Sequence, residues 1–296
     1  MSDSSVTRVV GKVLSPAPTV ERPPLPATGR AGRNLPAAVG TAAVLIVAVA
    51  GSLIFFPPLF VVFAALMCVA GVWELAGAFA RVGIHLSMPP IYLGTVGILT
   101  CAWMLGVEAT LVATYLTVFA ATAWRLVDSS QQNRIHDIVA SVFAIVYVPF
   151  FAAFLLLMLR EFNSAWLVGL LVLLATANDL GGWGAGILFG KHPMAPRLSP
   201  KKSWEGFAGS VTAAVTAGII CFILLGAQWW WGVIAGIAAA FIGTLGDLLE
   251  SLIKREVGLK DMSSLLPGHG GVLDRIDALL MFAPVFYFIV RNALGG

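Results

Sequence analysis

Runs of predominantly apolar residues, each close to the ~20 that a helix needs to cross ~30 Å of hydrocarbon, recur along this sequence and leave few choices of fold. They fall at 37–55, 58–80, 89–106, 109–127, 138–159, 165–190, 207–226, 229–252 and 273–292. In lipid every backbone N–H and C=O must find a partner within the chain, so runs of this length become helices. The breaks Phe56-Pro57-Pro58 and Met88-Pro89-Pro90 mark two of the joints. With 59% hydrophobic residues and a mean hydropathy of +0.92, the pattern predicts an all-α, polytopic integral membrane protein of about nine transmembrane helices.

The first 36 residues differ in kind: they are polar and rich in Pro and Ser, and they carry Arg8, Lys12, Arg22, Arg30 and Arg33. An apolar core begins only near Ala37, too late for a cleavable signal, so 1–36 is expected to be a disordered cytoplasmic arm. Residues 37–296 then form a single membrane-embedded domain, with its chemistry mainly in 165–292. If the arm lies in the cytoplasm, only Arg160 and Arg291 among the 18 Lys and Arg fall outside. By the positive-inside rule the loops 191–206 and 253–272 therefore face the cytoplasm of a cell-membrane protein. Basic residues confined to short loops, with a net charge of +3, exclude a nucleic-acid stripe. Cys68, Cys101 and Cys221 stand singly in apolar runs and read as small buried side chains.

Against this background Gly246–Asp277 is anomalous. It holds the acids Asp247, Glu250, Glu256, Asp261, Asp274 and Asp277 and the bases Lys254, Arg255, Lys260 and Arg275. Asp247 and Glu250 are spaced i, i+3 and share a helical face, and Asp274 and Asp277 repeat that spacing at the start of the last span. Two such pairs could surround a common point with hard oxygen ligands, which suits Mg²⁺ better than Zn²⁺. The plainer reading pairs these acids with Lys254, Arg255 and Arg275. Asp179 lies twelve residues before Lys191, about 18 Å along a helix, where a carboxylate marks a site by default. The small residues after it, Gly182, Gly186 and Gly190, also fit close helix packing. Glu74, seven residues before Arg81, reads as a snorkelling or locally paired acid, with a functional role as the alternative.

Two loops are suited to phosphates. Ser199, Lys201 and Lys202 supply a hydroxyl and two ammonium groups just before the seventh span, whose N-terminus adds positive potential. Together with Lys254, Arg255, Lys260 and Arg275 they would make a polyphosphate cradle. Gly270 and Gly271 permit backbone amides to approach an anion, and His269 either donates to a phosphate or caps the loop. Gly186–His192 fails as a P-loop, having one residue too few between its glycines and His where Ser or Thr is required.

The stretch Ser251–Asp277, with its Lys254-Arg255, Lys260-Asp261, Leu266-Pro267-Gly268-His269-Gly270-Gly271 and Asp274-Arg275-x-Asp277 elements, resembles the signature of the phosphatidate cytidylyltransferases, the CDP-diacylglycerol synthases. Gly246-Asp247-x-x-Glu250-Ser251, Ser199-Pro200-Lys201-Lys202-x-x-Glu205-Gly206 and Asp179 with Gly186 and Gly190 are similar to further blocks of that family. Trp183 departs from the pattern, which has Tyr there. The resemblance implies condensation of CTP with phosphatidate at the bilayer to give CDP-diacylglycerol and pyrophosphate. It further implies Mg²⁺ held by Asp247 and Asp274, a K⁺ ion beside it, Lys202 as a catalytic cation, and a homodimer. A CTP-dependent lipid-alcohol kinase would instead release CDP. An ion-coupled transporter would explain the intramembrane acids but not the two phosphate-suited loops.

Overall fold

The computed structural model describes residues 10–20, 35–128, 134–267 and 269–295. Its helices fall on the expected segments to within a few residues: α1 (Leu35–Phe55), α2 (Pro57–Ala80), α3 (Met88–Met104), α4 (Val107–Val127), α5 (Arg134–Phe162), α6 (Ala165–Phe189), α7 (Trp204–Leu224), α8 (Trp229–Glu256) and α9 (Leu273–Leu294). Among the described residues six of these, α2 and α4 to α8, are long and apolar enough to cross a membrane. Val39–Phe55 within α1, and α3, are shorter apolar helices. The protein is a polytopic, almost wholly helical membrane protein. Among the described residues its named strands form a hairpin of β1 (Pro193–Ala195) and β2 (Ser199–Ser203), antiparallel with Pro193 opposite Ser203, inside what reads as a loop from sequence.

The prolines act where a helix can accept them. Pro57 and Pro58 open α2, and Pro89 and Pro90 lie in the first turn of α3, where the missing amide has no intrahelical partner to lose. Pro149 lies inside α5, and there the helix widens into one π-turn over Val146–Phe150.

Within the domain expected over 37–296, the chain gathers into two compact units. One takes Met1–Leu156 and Glu256–Arg275; the other takes Leu157–Arg255 and Ile276–Gly296. The first is built on α2 to α5, with Val72, Leu75, Ala78, Ile91, Ile98, Ala144, Ile145 and Val148 fully buried. Of the arm expected to be disordered, 1–9 and 21–34 lie outside the described residues. Residues 10–20 are docked on the first unit: the Thr19 amide donates to the Gly77 carbonyl at 3.0 Å, and Tyr92 Oη donates to the Val13 carbonyl at 3.0 Å.

The second unit rests on the pairing of α6 with α7, through small residues as their spacing anticipates. A Cβ placed on Gly181 would stand 2.6 Å from both Ala213 Cβ and the Gly209 carbonyl oxygen, and one on Gly182 would stand 2.5 Å from Ser210 Oγ. Backbone meets backbone here, so relief would require the helices to part. Gly181→Ala is expected to destabilise the protein by about 1–3 kcal/mol. A thermal-unfolding midpoint in detergent that matches the wild type would contradict this.

Candidate functional site

In the second unit the hairpin and α7 form one local construction. Ser203 caps α7, its Oγ accepting from the Gly206 amide at 3.1 Å. Glu205, in the first turn of α7, reaches back to the start of the hairpin. Its Oε2 accepts from the amides of Lys191 (3.1 Å) and His192 (3.2 Å), and its Oε1 lies 2.6 Å from His192 Nδ1. The Ser-Pro-Lys-Lys-Ser segment is thereby fixed as a strand leading into a helix N-terminus, and its lysines are carried on a short, braced element.

Lys202 Nζ donates to Asp247 Oδ2 at 2.6 Å, joining β2 to α8. Both side chains keep contact with solvent, at 27% and 30% exposure. They line a cavity of about 240 Å³ whose wall also carries Asp179, Lys201, Ser203, Trp183 and Gly206. Asn178, 3% exposed, donates to Asp179 Oδ1 at 3.1 Å, and its own carbonyl accepts from Ser210 Oγ at 2.7 Å. The mid-helix acid Asp179 is thus oriented by a neighbour on α6, which α7 holds in turn.

Asp179, Lys201, Lys202 and Asp247, read from sequence as site residues, do share this cavity. Glu250, one turn beyond Asp247, is buried at 4% exposure and bound to Lys254 at 2.6 Å, a local pair of the kind the plainer reading supposes. Asp277 is buried at 7% within electrostatic range of Asp247, Asp179 and Lys254. Ser199 opens β2 and Arg255 is exposed in the last turn of α8; neither lines the cavity. Asn178, Ser203 and Ser210 carry no such role in the sequence reading. The one signal for Asn178 is its place beside Asp179 in an otherwise apolar helix.

The remaining candidates belong to the first unit. Asp274 Oδ2 accepts from the amides of Met262 (2.9 Å) and Gly271 (2.8 Å), so this carboxylate orders its own loop whatever else it binds. Arg275 donates through Nε (2.9 Å) and Nη2 (2.7 Å) to the His269 carbonyl. Gly270 has φ +84°, a conformation that favours glycine, and its amide closes a turn onto the Leu266 carbonyl at 3.1 Å. Lys260 is exposed ahead of this turn. Glu74, taken from sequence as a snorkelling or Arg81-paired acid, is neither. It is fully buried and accepts from Ser263 Oγ (2.5 Å) and from the amides of Val272 and Leu273 (both 2.8 Å). Arg81 binds carbonyls instead, those of Thr19 (2.6 Å), Val257 (2.9 Å) and Gly258 (3.3 Å). Seven residues along a helix separate side chains by about 10 Å, too far for a direct pair.

Among the described residues no three His, Cys, Asp or Glu side chains gather closely enough to hold a metal by themselves. Mg²⁺ commonly takes one or two carboxylates and completes its shell with phosphate and water oxygens. The cavity of the second unit supplies such a set: Asp247 and Asp179 as hard donors, two lysines for anionic charge, and a helix N-terminus beside them. It is equipped to bind a polyanion and a divalent cation together.

Residues 36–293 match the profile of the Cytidylyltransferase family. The chain is 36% identical over 289 residues to the phosphatidate cytidylyltransferase of Mycobacterium bovis, covering 93% of this chain and 94% of that one. It is 37% identical over 274 residues to the Mycobacterium leprae protein of the same name, covering 87% and 88%. A Thermotoga maritima phosphatidate cytidylyltransferase is 35% identical over 174 residues, 56% of this chain and 64% of that one. With the match running almost from end to end, the chain belongs to the cytidylyltransferase family and is a nucleotidyltransferase.

Proposed function

We propose that this protein is a phosphatidate cytidylyltransferase, joining CTP to phosphatidate to give CDP-diacylglycerol and pyrophosphate with Mg²⁺. The observation that carries this reading is the Lys202–Asp247 pair in a cavity that also holds Lys201 and Asp179. The phosphatidate phosphomonoester has a second pKa near 6 and is already an oxygen nucleophile at neutral pH. No Ser, Cys or His nucleophile is needed. The difficulty is bringing two polyanions together, so the protein's work is alignment and neutralisation.

Lys201 and Lys202 bind phosphate oxygens, and the N-terminus of α7 adds its positive end. Lys202 holds Asp247 before substrate arrives. Nucleotide phosphates give that ammonium a competing partner and leave the carboxylate able to take a cation. Asp247 would hold Mg²⁺ with Asp179 as a second hard donor, and Asp277 adds negative potential; the ion would supply charge neutralisation at the phosphates. The sixteen cytoplasm-side Lys and Arg support a cytoplasmic site at the cell membrane, where CTP is available and the acyl chains stay in lipid.

The test is purified protein with CTP and phosphatidate in mixed micelles. CDP-diacylglycerol and pyrophosphate are expected in equal amounts, with product lost on chelation and restored by Mg²⁺. Release of CDP with a newly phosphorylated lipid alcohol would replace this reading with that of a lipid kinase.

A further inference from the structure

Helix α9 begins at Leu273 directly after Gly270, Gly271 and Val272, none of which has a side chain able to cap it. Its first amides are satisfied from far away in sequence. Glu74, six residues before the end of α2, accepts from Val272 N–H and Leu273 N–H, and from the hydroxyl of Ser263. The acid is 0% exposed. Burying a carboxylate costs several kcal/mol, which charge-assisted hydrogen bonds from amides and a hydroxyl offset. A Ser or Asp at position 272 would have capped the helix without that burial. What the distant acid adds is attachment of the loop to α2.

Asp274 grips the same backbone from its own side through the amides of Met262 and Gly271. The two acids close around one residue. A Cβ on Gly271 would meet Asp274 Oδ2 at 2.8 Å and Glu74 Oε2 and Oε1 at 2.9 and 3.0 Å. The loop that carries His269 and Gly270 and leads into α9 is therefore pinned at both ends of its final turn, and Glu74 is the pin that is not part of the loop.

We propose that Glu74 is a positioning residue: its buried carboxylate fixes the 262–274 loop to α2 and so holds the loop's family-signature residues, His269 and Asp274 among them, in place. The kinetic half of the test rests on the cytidylyltransferase reading above; the structural half does not. Hydrogen–deuterium exchange should show the Val272 and Leu273 amides protected in the wild type. In Glu74→Gln one carboxylate oxygen becomes an NH₂ that faces donors, and exchange at those amides should rise about tenfold or more. The KM for CTP should rise and kcat/KM should fall on the order of 10²-fold, as expected when reacting groups are misplaced by about 1 Å. Loss of folded protein alone cannot raise KM.

If Glu74→Gln fails to accumulate, Ser263→Ala removes one donor and leaves the carboxylate. It should shift exchange and KM in the same direction by roughly threefold to tenfold. Unchanged exchange in the variant that folds overturns the attachment. Faster exchange with a wild-type KM overturns the positioning role. A wild type that makes no CDP-diacylglycerol overturns the function reading alone, since the exchange result is read without turnover.

Discussion

Asp247→Ala is expected to lower CDP-diacylglycerol formation by on the order of 10³-fold or more while leaving a folded protein. Three features set that size. Asp247 is the carboxylate of the cavity that Lys202 reaches, at 2.6 Å; it belongs to the proposed Mg²⁺ ligands; and removing one preorganised charged group from a phosphoryl site takes away stabilisation that water cannot replace. Folding should survive because Lys202, at 27% exposure, can turn to solvent once its partner is gone. A swap separates catalysis from mere pairing. Lys202→Asp combined with Asp247→Lys rebuilds an ion pair but puts an ammonium where the metal-binding carboxylate stood. The double variant should recover thermal stability and stay inactive. If it regains turnover, the pair is only a strut and the assignment of Asp247 fails.

The helices were readable because apolar run length is a property of contiguous residues. Close packing of α6 was readable for the same reason, since Gly182 and Gly186 announce a smooth helix face; that α7 meets it, with Gly206 and Ser210, was not. Asp179 and Asp247 stood out because charge in apolar surroundings is costly enough to need a cause, whereas Lys202 was legible only as a loop lysine ahead of a helix N-terminus. What sequence could not supply was the partner of each charge. Glu74 bonds to residues 189 to 199 positions away, and no local spacing encodes that choice. Arg81 likewise binds backbone carbonyls, which look the same at every position of a sequence. The β1–β2 hairpin escaped notice because its strands of 3 and 5 residues are rich in Pro and Lys, poor strand formers, and it is held from outside by Glu205.

Arg125 shows the same limit and carries the largest expected effect on stability. Counting basic residues puts it at the end of a span, where an arginine ordinarily reaches water. Instead it is 3% exposed and paired with Asp137, which is 0% exposed. Asp137 also accepts from the His85 amide at 2.7 Å, and the Arg125 guanidinium donates to the His85 carbonyl and to Asp128, each at 3.3 Å. The group ties α4 and α5 to the turn before α3. Arg125→Met would strand a buried carboxylate, and breaking such a pair from one side typically costs about 3–5 kcal/mol. Asp137→Asn should cost less, since the amide keeps an acceptor for His85 and loses only the charge. Arg125→Met with Asp137→Leu removes both charges and should be more stable than Arg125→Met alone, because two desolvated ions are replaced by apolar volume. Thermal inactivation in one detergent, measured on all three variants, reads the order directly. A single Arg125→Met variant as stable as the double would mean that Asp137 reaches water when unpaired, and that the buried pair does not hold this corner of the first unit together.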